Sequence, residues 1–280
     1  MGDTPAPTRH ATTGSTLRER WDSVRSRVAA AAERTGRRAD SVMLVVVTKS
    51  ASIDQIRELI GFGQVDFGEN RVQQLIQRAA AIEEFAARRR GLGGVAATGA
   101  GAPGGAGSAG AAFPAVRWHM VGTLQRNKVR KCIELARLIH SVDNLRLAEE
   151  IQMASMKRSE PVDVLVEVNV AGEKSKQGVA PAAARHLIDQ LETMVNLRVR
   201  GLMCMAPLDG GTAAARATFE RCRELFDEIR QRGIGDGRFD ILSMGMSADF
   251  ETAIECGANL VRVGSAVVGE PVQTDADSDE

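Results

Sequence analysis

A chain of 280 residues with 44% hydrophobic content can build one core of barrel size, because such barrels take roughly 200 to 250 residues. Its 36 basic and 36 acidic side chains cancel, which excludes an overall field drawing the chain to polyanions or anionic lipid, so any anion site has to be local. Cys132, Cys204, Cys222 and Cys256 form no CxxC pair, and His10, His119, His140 and His186 stand at no ligand spacing to them; structural zinc and a disulfide framework are both disfavoured.

Residues 1–15 are rich in Thr, Pro and Gly without periodicity and read as a disordered tail. They hold no apolar segment of the secretory kind, and Ala6 stands where a myristoylation signal needs Ser or Thr. No apolar run reaches membrane-spanning length, so a soluble cytoplasmic protein is expected.

Residues 16–34 then place Leu17, Trp21, Val24 and Val28 on one helical face, and the run 42–47 has the pattern of a short buried strand. Further strands are expected at 64–68, 117–122, 138–142, 162–170, 197–205, 239–245 and 259–264. Amphipathic helical stretches such as 144–157 and 213–232 separate them. Between residues 91 and 115 lies GLGGVAATGAGAPGGAGSAGAAFPA, whose small side chains bury too little to offset the entropy of ordering. It reads as a flexible insertion within one domain, residues 16–270; a linker between two domains would need a core on each side, and too few strands precede it. Residues 271–280 are acidic and read as a second disordered tail.

Near-continuous apolar runs such as 162–168 suit parallel strands covered on both faces. Eight such units fit closure, so the expectation is an α/β fold, a single (β/α)8 TIM barrel with a leading N-terminal helix that covers the gap after the eighth strand. A doubly wound open sheet is the rival.

Sites on enzymatic barrels sit at the C-terminal strand ends, with phosphate commonly held after strands seven and eight. Lys49 ends the apolar strand VVVTK, where partial desolvation would favour a neutral amine able to attack an aldehyde; a lysine that snorkels into water is the plainer alternative. SMGMSADF and VRVGSAVVG each run from a strand into Gly and Ser before a helix start, where N–H groups and hydroxyls can bind a phosphate, although turns and caps use the same residues. Arg262 lies inside an apolar strand and needs a buried partner, either a structural carboxylate or a ligand. His119 reads more readily as a satisfied core histidine than as a group beside a ligand. The basic run QRNKVRK, residues 125–131, lacks interleaved aromatics and reads as a solvated face, not as a nucleic-acid site.

Taken together, VVVTKS, DFGENRVQ, WHMVGTLQRNKV, IHSVDN, VEVNVAGEKSKQGV, GLMCMAP and LSMGMSADFETAIECGANLVRVGS resemble the pyridoxal phosphate homeostasis protein family, which is similar in fold to the barrel domain of alanine racemase. The resemblance implies pyridoxal 5'-phosphate as cofactor, held as a Schiff base on Lys49. By the same match Asn70 lies near the cofactor, Ser247, Gly264 and Ser265 contact its phosphate, Met246 and Val263 help through backbone N–H groups, and Arg262 faces the pyridine nitrogen. TKSAS departs from the family's usual lysine segment, Thr123 stands where many members carry His or a small residue, and the Gly/Ala insertion is unusual.

Arginine does not readily protonate the pyridine nitrogen, and the chain contains no tyrosine, the residue that serves as one acid/base group in alanine racemase. The expected function is therefore intracellular pyridoxal phosphate (vitamin B6) homeostasis, buffering or delivering the cofactor without robust catalysis. Pyridoxal-phosphate-dependent apoenzymes are candidate recipients, and the chain is expected to be a monomer. The alternatives are a pyridoxal-phosphate-dependent amino-acid racemase or decarboxylase, and a barrel aldolase that uses Lys49 without cofactor.

Overall fold

The computed structural model describes residues 15–95, 114–173 and 177–270. Eight parallel strands close into a barrel in sequence order: β1 (Met43–Val47), β2 (Asp66–Glu69), β3 (Arg117–Met120), β4 (Ala136–Val142), β5 (Val162–Glu167), β6 (Leu197–Met203), β7 (Ile241–Ser243) and β8 (Leu260–Val263). The surrounding helices are α1 (Leu17–Arg34), α2 (Ile53–Gly61), α3 (Val72–Val95), α4 (Val129–Ile133), α5 (Leu145–Ser155), α6 (Pro181–Leu191), α7 (Gly211–Arg230), α8 (Phe250–Glu255) and α9 (Ser265–Val268). Strands such as VDVLVE in β5 are buried almost throughout, as a sheet lined by side chains inside and covered by helices outside requires. Val45, Leu138, Leu165, Met203 and Leu260 fill the interior, while a larger apolar layer lies between strands and helices.

The β1–β8 pairing, running from Met43↔Leu260 to Val46↔Val263, completes the ring. Outside it, α1 packs against α8 and α9. The α1 start is set by Thr16, whose hydroxyl accepts from the Glu19 N–H while the Glu19 carboxylate accepts from the Thr16 N–H, a reciprocal cap that contributes about 1 kcal/mol. Leu17, Trp21, Val24 and Val28 form its buried stripe, and Arg20 Nε donates to the Val267 carbonyl at 2.8 Å. The leading helix thus covers the last unit as expected, with one refinement: the position after the eighth strand is not empty but carries the single turn of α9.

The low-complexity stretch differs in part from a loop. Its first five residues continue α3 to Val95; residues 96–113 lie outside the described residues, as do residues 1–14, most of the first expected tail, and 271–280, the whole of the second. Several strands end sooner than their apolar runs. Val168 and Val170 remain buried beyond β5, where Val168 forms an isolated bridge with Val179, and hydropathy alone cannot distinguish such residues from strand.

Candidate functional site at the C-terminal mouth

Lys49 lies two residues beyond β1, in a segment pinned from two sides. Thr48 is fully buried on the helix-facing side of β1, and its N–H donates to the Gly68 carbonyl at 2.9 Å. Its hydroxyl contacts Glu69 Oε1, which is also paired with Arg78 of α3. Arg78 Nη2 in turn donates to the Ala51 carbonyl at 3.0 Å. Strand alternation turns Lys49 the other way, and its side chain is exposed. The desolvation expected at Lys49 is therefore not supplied by the protein's own side chains. Glu69 and Arg78 were not singled out from sequence; Glu69 ends a strand whose every position is buried.

Asn70 follows β2, and its Oδ1 is buried with no hydrogen-bond partner among the described residues. The loop after β3 passes so close that a Cβ on Gly122 would lie 2.4 Å from the Asn70 carbonyl oxygen, so only glycine permits that approach. A cavity of about 360 Å³ opens beside Asn70, lined also by Arg71, Thr123, Gln125 and Lys128.

The segment after β7 turns at Gly245, with φ of +88° and a Cβ position 2.7 Å from the Ala253 methyl, so a side chain is excluded both by conformation and by space. This turn presents Ser247, whose Oγ accepts from the Gly264 N–H at 3.2 Å and from the Ala266 N–H at 3.3 Å. Two backbone donors after β8 thus converge with a hydroxyl after β7. Ala266 is an addition to the residues expected from sequence. Ser265 opens α9 and is half-buried, whereas Val263 is buried inside β8. The Met246 N–H donates to Asp249 Oδ1 at 2.6 Å, so it is committed within its own loop. Because Val46 and Val263 are in register, the Lys49 segment and the Gly264–Ala266 segment leave the barrel side by side.

Arg262 is buried in β8. It donates through Nη1 to Ser243 Oγ at 2.6 Å and through Nη2 to the Cys204 carbonyl at 3.0 Å; no carboxylate forms an ion pair with it among the described residues. Burial pushes it below the ordinary guanidinium value, partly offset by attraction to groups that include Glu167. Glu167, at the end of β5, is itself buried, and desolvation together with repulsion from Asp143 raises its pKa to about 7 against the pull of Arg262. His119 is a satisfied core histidine, bonded at its two ring nitrogens to Asp66 and His140.

A cavity of about 960 Å³ opens at the opposite end, among strand starts that include Asp66, Arg117, Asp163 and Arg200. These charges pair with one another, Arg117 with Asp66 and Arg200 with Asp163 and Asp240. At that end of such barrels side chains serve closure and stability, so size alone does not make this the functional mouth.

Residues 20–271 match the alanine racemase N-terminal domain family. A relative from Aquifex aeolicus, the pyridoxal phosphate homeostasis protein of that organism, is 34% identical over 252 residues, which cover 90% of this chain and 97% of the relative. The chain belongs to the pyridoxal phosphate homeostasis protein family. Within solved structures, this family member is similar to PipY of Synechococcus elongatus, solved without PLP (31% identity, TM-score 0.72) and with PLP bound (30% identity, TM-score 0.70); each match covers 91% of this chain and all of PipY. The alanine racemase of Clostridium difficile shares the fold alone, at 13% identity and a TM-score of 0.63 over 94% of this chain and 59% of the racemase. No helix of the described residues is long and apolar enough to cross a membrane, and no cluster of metal-ligating side chains occurs among them.

Proposed function

We propose that the C-terminal mouth binds pyridoxal 5'-phosphate and that the chain, a cytoplasmic monomer, holds and releases the cofactor for pyridoxal-phosphate-dependent apoenzymes without turning over a substrate of its own. The observation that carries this reading is the β1–β8 register, which sets Lys49 beside the donors of Gly264 and Ala266 and above Arg262. Membership of the homeostasis family and the PLP-bound structure of PipY support it.

The donor set fits the group. Convergent N–H groups and the hydroxyls of Ser247 and Ser265 suit a phosphate, and charge-assisted bonds of this kind contribute about 1.5 to 3 kcal/mol each. The buried, unpartnered Asn70 Oδ1 is an acceptor open to a ligand hydroxyl. When bound, pyridoxal phosphate supplies an aldehyde that condenses with an amine and a ring that draws electrons if its nitrogen is protonated. The exposed Lys49 offers the amine, and the Glu69–Arg78 pair fixes the backbone that carries it. Gly264 and Ala266 offer their N–H groups to a phosphate when Ser247 Oγ yields them, and Met246 contributes its N–H only if Asp249 releases it.

Arg262 presents donors and holds its proton too tightly to give it up, and the chain has no tyrosine to serve as an acid/base on one face of a substrate carbon. Both features favour a carrier over a racemase or decarboxylase. Dialysis of loaded variants tests the reading. Lys49→Ala should lose the visible band yet retain weak affinity, and Ser247→Ala with Ser265→Ala should keep the band while binding less tightly. Unchanged retention in both variants would contradict it.

A further inference from the structure

A line of buried polar groups crosses the barrel interior from the far end to Arg262. Asp66 Oδ1 lies 3.1 Å from His119 Nε2, His119 Nδ1 lies 3.0 Å from His140 Nε2, His140 Nδ1 lies 3.0 Å from Ser243 Oγ, and Ser243 Oγ accepts from Arg262 Nη1 at 2.6 Å. Each of the five residues is at most 5% exposed. The apolar side chains Leu138, Leu165, Met203 and Leu260 fill the same interior, where an incomplete polar chain would be costly and a complete one fixes a single arrangement.

With both imidazoles neutral, the chemistry of the two ends decides every proton between them. Arg262 can only donate, and the Asp66 carboxylate can only accept. Burial alone would raise the Asp66 pKa, but hydrogen bonds from His119 and Arg117 and the charge of Arg117 hold it below the ordinary carboxylate value. His119 therefore donates from Nε2 to Asp66 and accepts at Nδ1 from His140 Nε2–H. His140 is left with Nδ1 as an acceptor, which takes the Ser243 hydroxyl proton. Desolvation, with the nearby Arg262 charge, keeps His140 neutral. All four bonds then run in one direction, from Arg262 to Asp66.

We infer that His119, His140 and Ser243 are positioning residues for Arg262: their one-way chain of hydrogen bonds holds the guanidinium in a fixed orientation toward the cofactor ring without an ion-pair partner beside it. The inference rests on the reading of Arg262 as the group facing the cofactor ring. It also explains why the apolar interior tolerates four polar side chains leading to a buried arginine that has no carboxylate partner among the described residues.

Ring nitrogen chemical shifts in the His10→Gln/His186→Gln protein test the chain without cofactor or any change to it, because only His119 and His140 then report. Both should be neutral Nε2–H tautomers at pH 7. An Nδ1–H tautomer or an imidazolium at either would overturn the proton assignment. The positioning role is tested in pyridoxal-phosphate-loaded protein. Ser243→Ala should displace the visible absorption maximum in the direction produced by Arg262→Lys and weaken affinity about tenfold, while Ser243→Thr, which keeps the hydroxyl, should restore both. A Ser243→Ala protein with the absorption and affinity of the parent overturns the role of the chain. A parent protein that takes up no pyridoxal phosphate overturns the functional reading and the link to the cofactor, whatever the ring nitrogens report.

Discussion

Replacing Glu167 with glutamine removes a carboxyl whose surroundings disfavour its charge. The folded pKa of about 7 stands above the ordinary 4.5. At about 1.4 kcal/mol per pH unit, that difference corresponds to a stability cost on the order of 3 kcal/mol. The folded state binds this proton more tightly than the unfolded state. The carboxyl therefore costs nothing below about pH 4.5, costs progressively more as pH rises toward 7, and exacts its full penalty above that. Glu167→Gln keeps the shape without the charge, so it should match the parent near pH 4.5 and exceed it by about 2 to 3 kcal/mol at pH 8. Urea denaturation of both proteins from pH 4.5 to 8, each without cofactor, measures the difference. Equal stability of the two at pH 8, or a less stable variant, would refute the reasoning, because either result means that Arg262 and solvent already compensate the Glu167 charge.

Arg78→Ala leaves the fully buried Glu69 without its ion-pair partner, so chemical denaturation should report a loss of about 3 to 5 kcal/mol; a loss under 1 kcal/mol would mean that water reaches Glu69. Gly122→Ala forces the loops after β2 and β3 apart at Asn70 and should weaken pyridoxal phosphate binding about tenfold, roughly the net contribution of one hydrogen bond. Equilibrium titration against the parent checks this, and unchanged affinity would remove Asn70 from the site. The four cysteines are buried, and burial pushes the Cys132 thiol up to about 12. All four should resist a thiol reagent in the native protein at pH 8 and react once it is unfolded, whereas rapid modification of any of them would contradict the burial.

The barrel was legible because each strand carries its own apolar run and each intervening helix its own stripe. Local pattern alone located β1 and β4 to within two residues at either end. Runs that ended in the mouth loops misled, since Val168 and Val170 are as apolar as the strand before them. Lys49, Ser247 and Ser265 stood out because Gly and Ser after a strand, and Lys at a strand's end, are local signals. The Glu69–Arg78 pair was hidden, because nothing in a spacing of nine residues announces that a strand end and a helix will meet. The interior chain was hidden for the same reason. His119 looked like an ordinary core histidine; pairing of β3 with β4 brings it to His140, and only closure of the barrel brings Ser243 of β7 to His140.

The central claim is that Lys49 carries the cofactor. Purified protein loaded with pyridoxal phosphate, reduced with borohydride, digested and mapped by mass spectrometry tests it most directly. The account predicts a visible band that reduction abolishes and a single modified peptide containing Lys49. Failure to take up the cofactor, or a label on another lysine such as Lys128 with Lys49 unmodified, would contradict it.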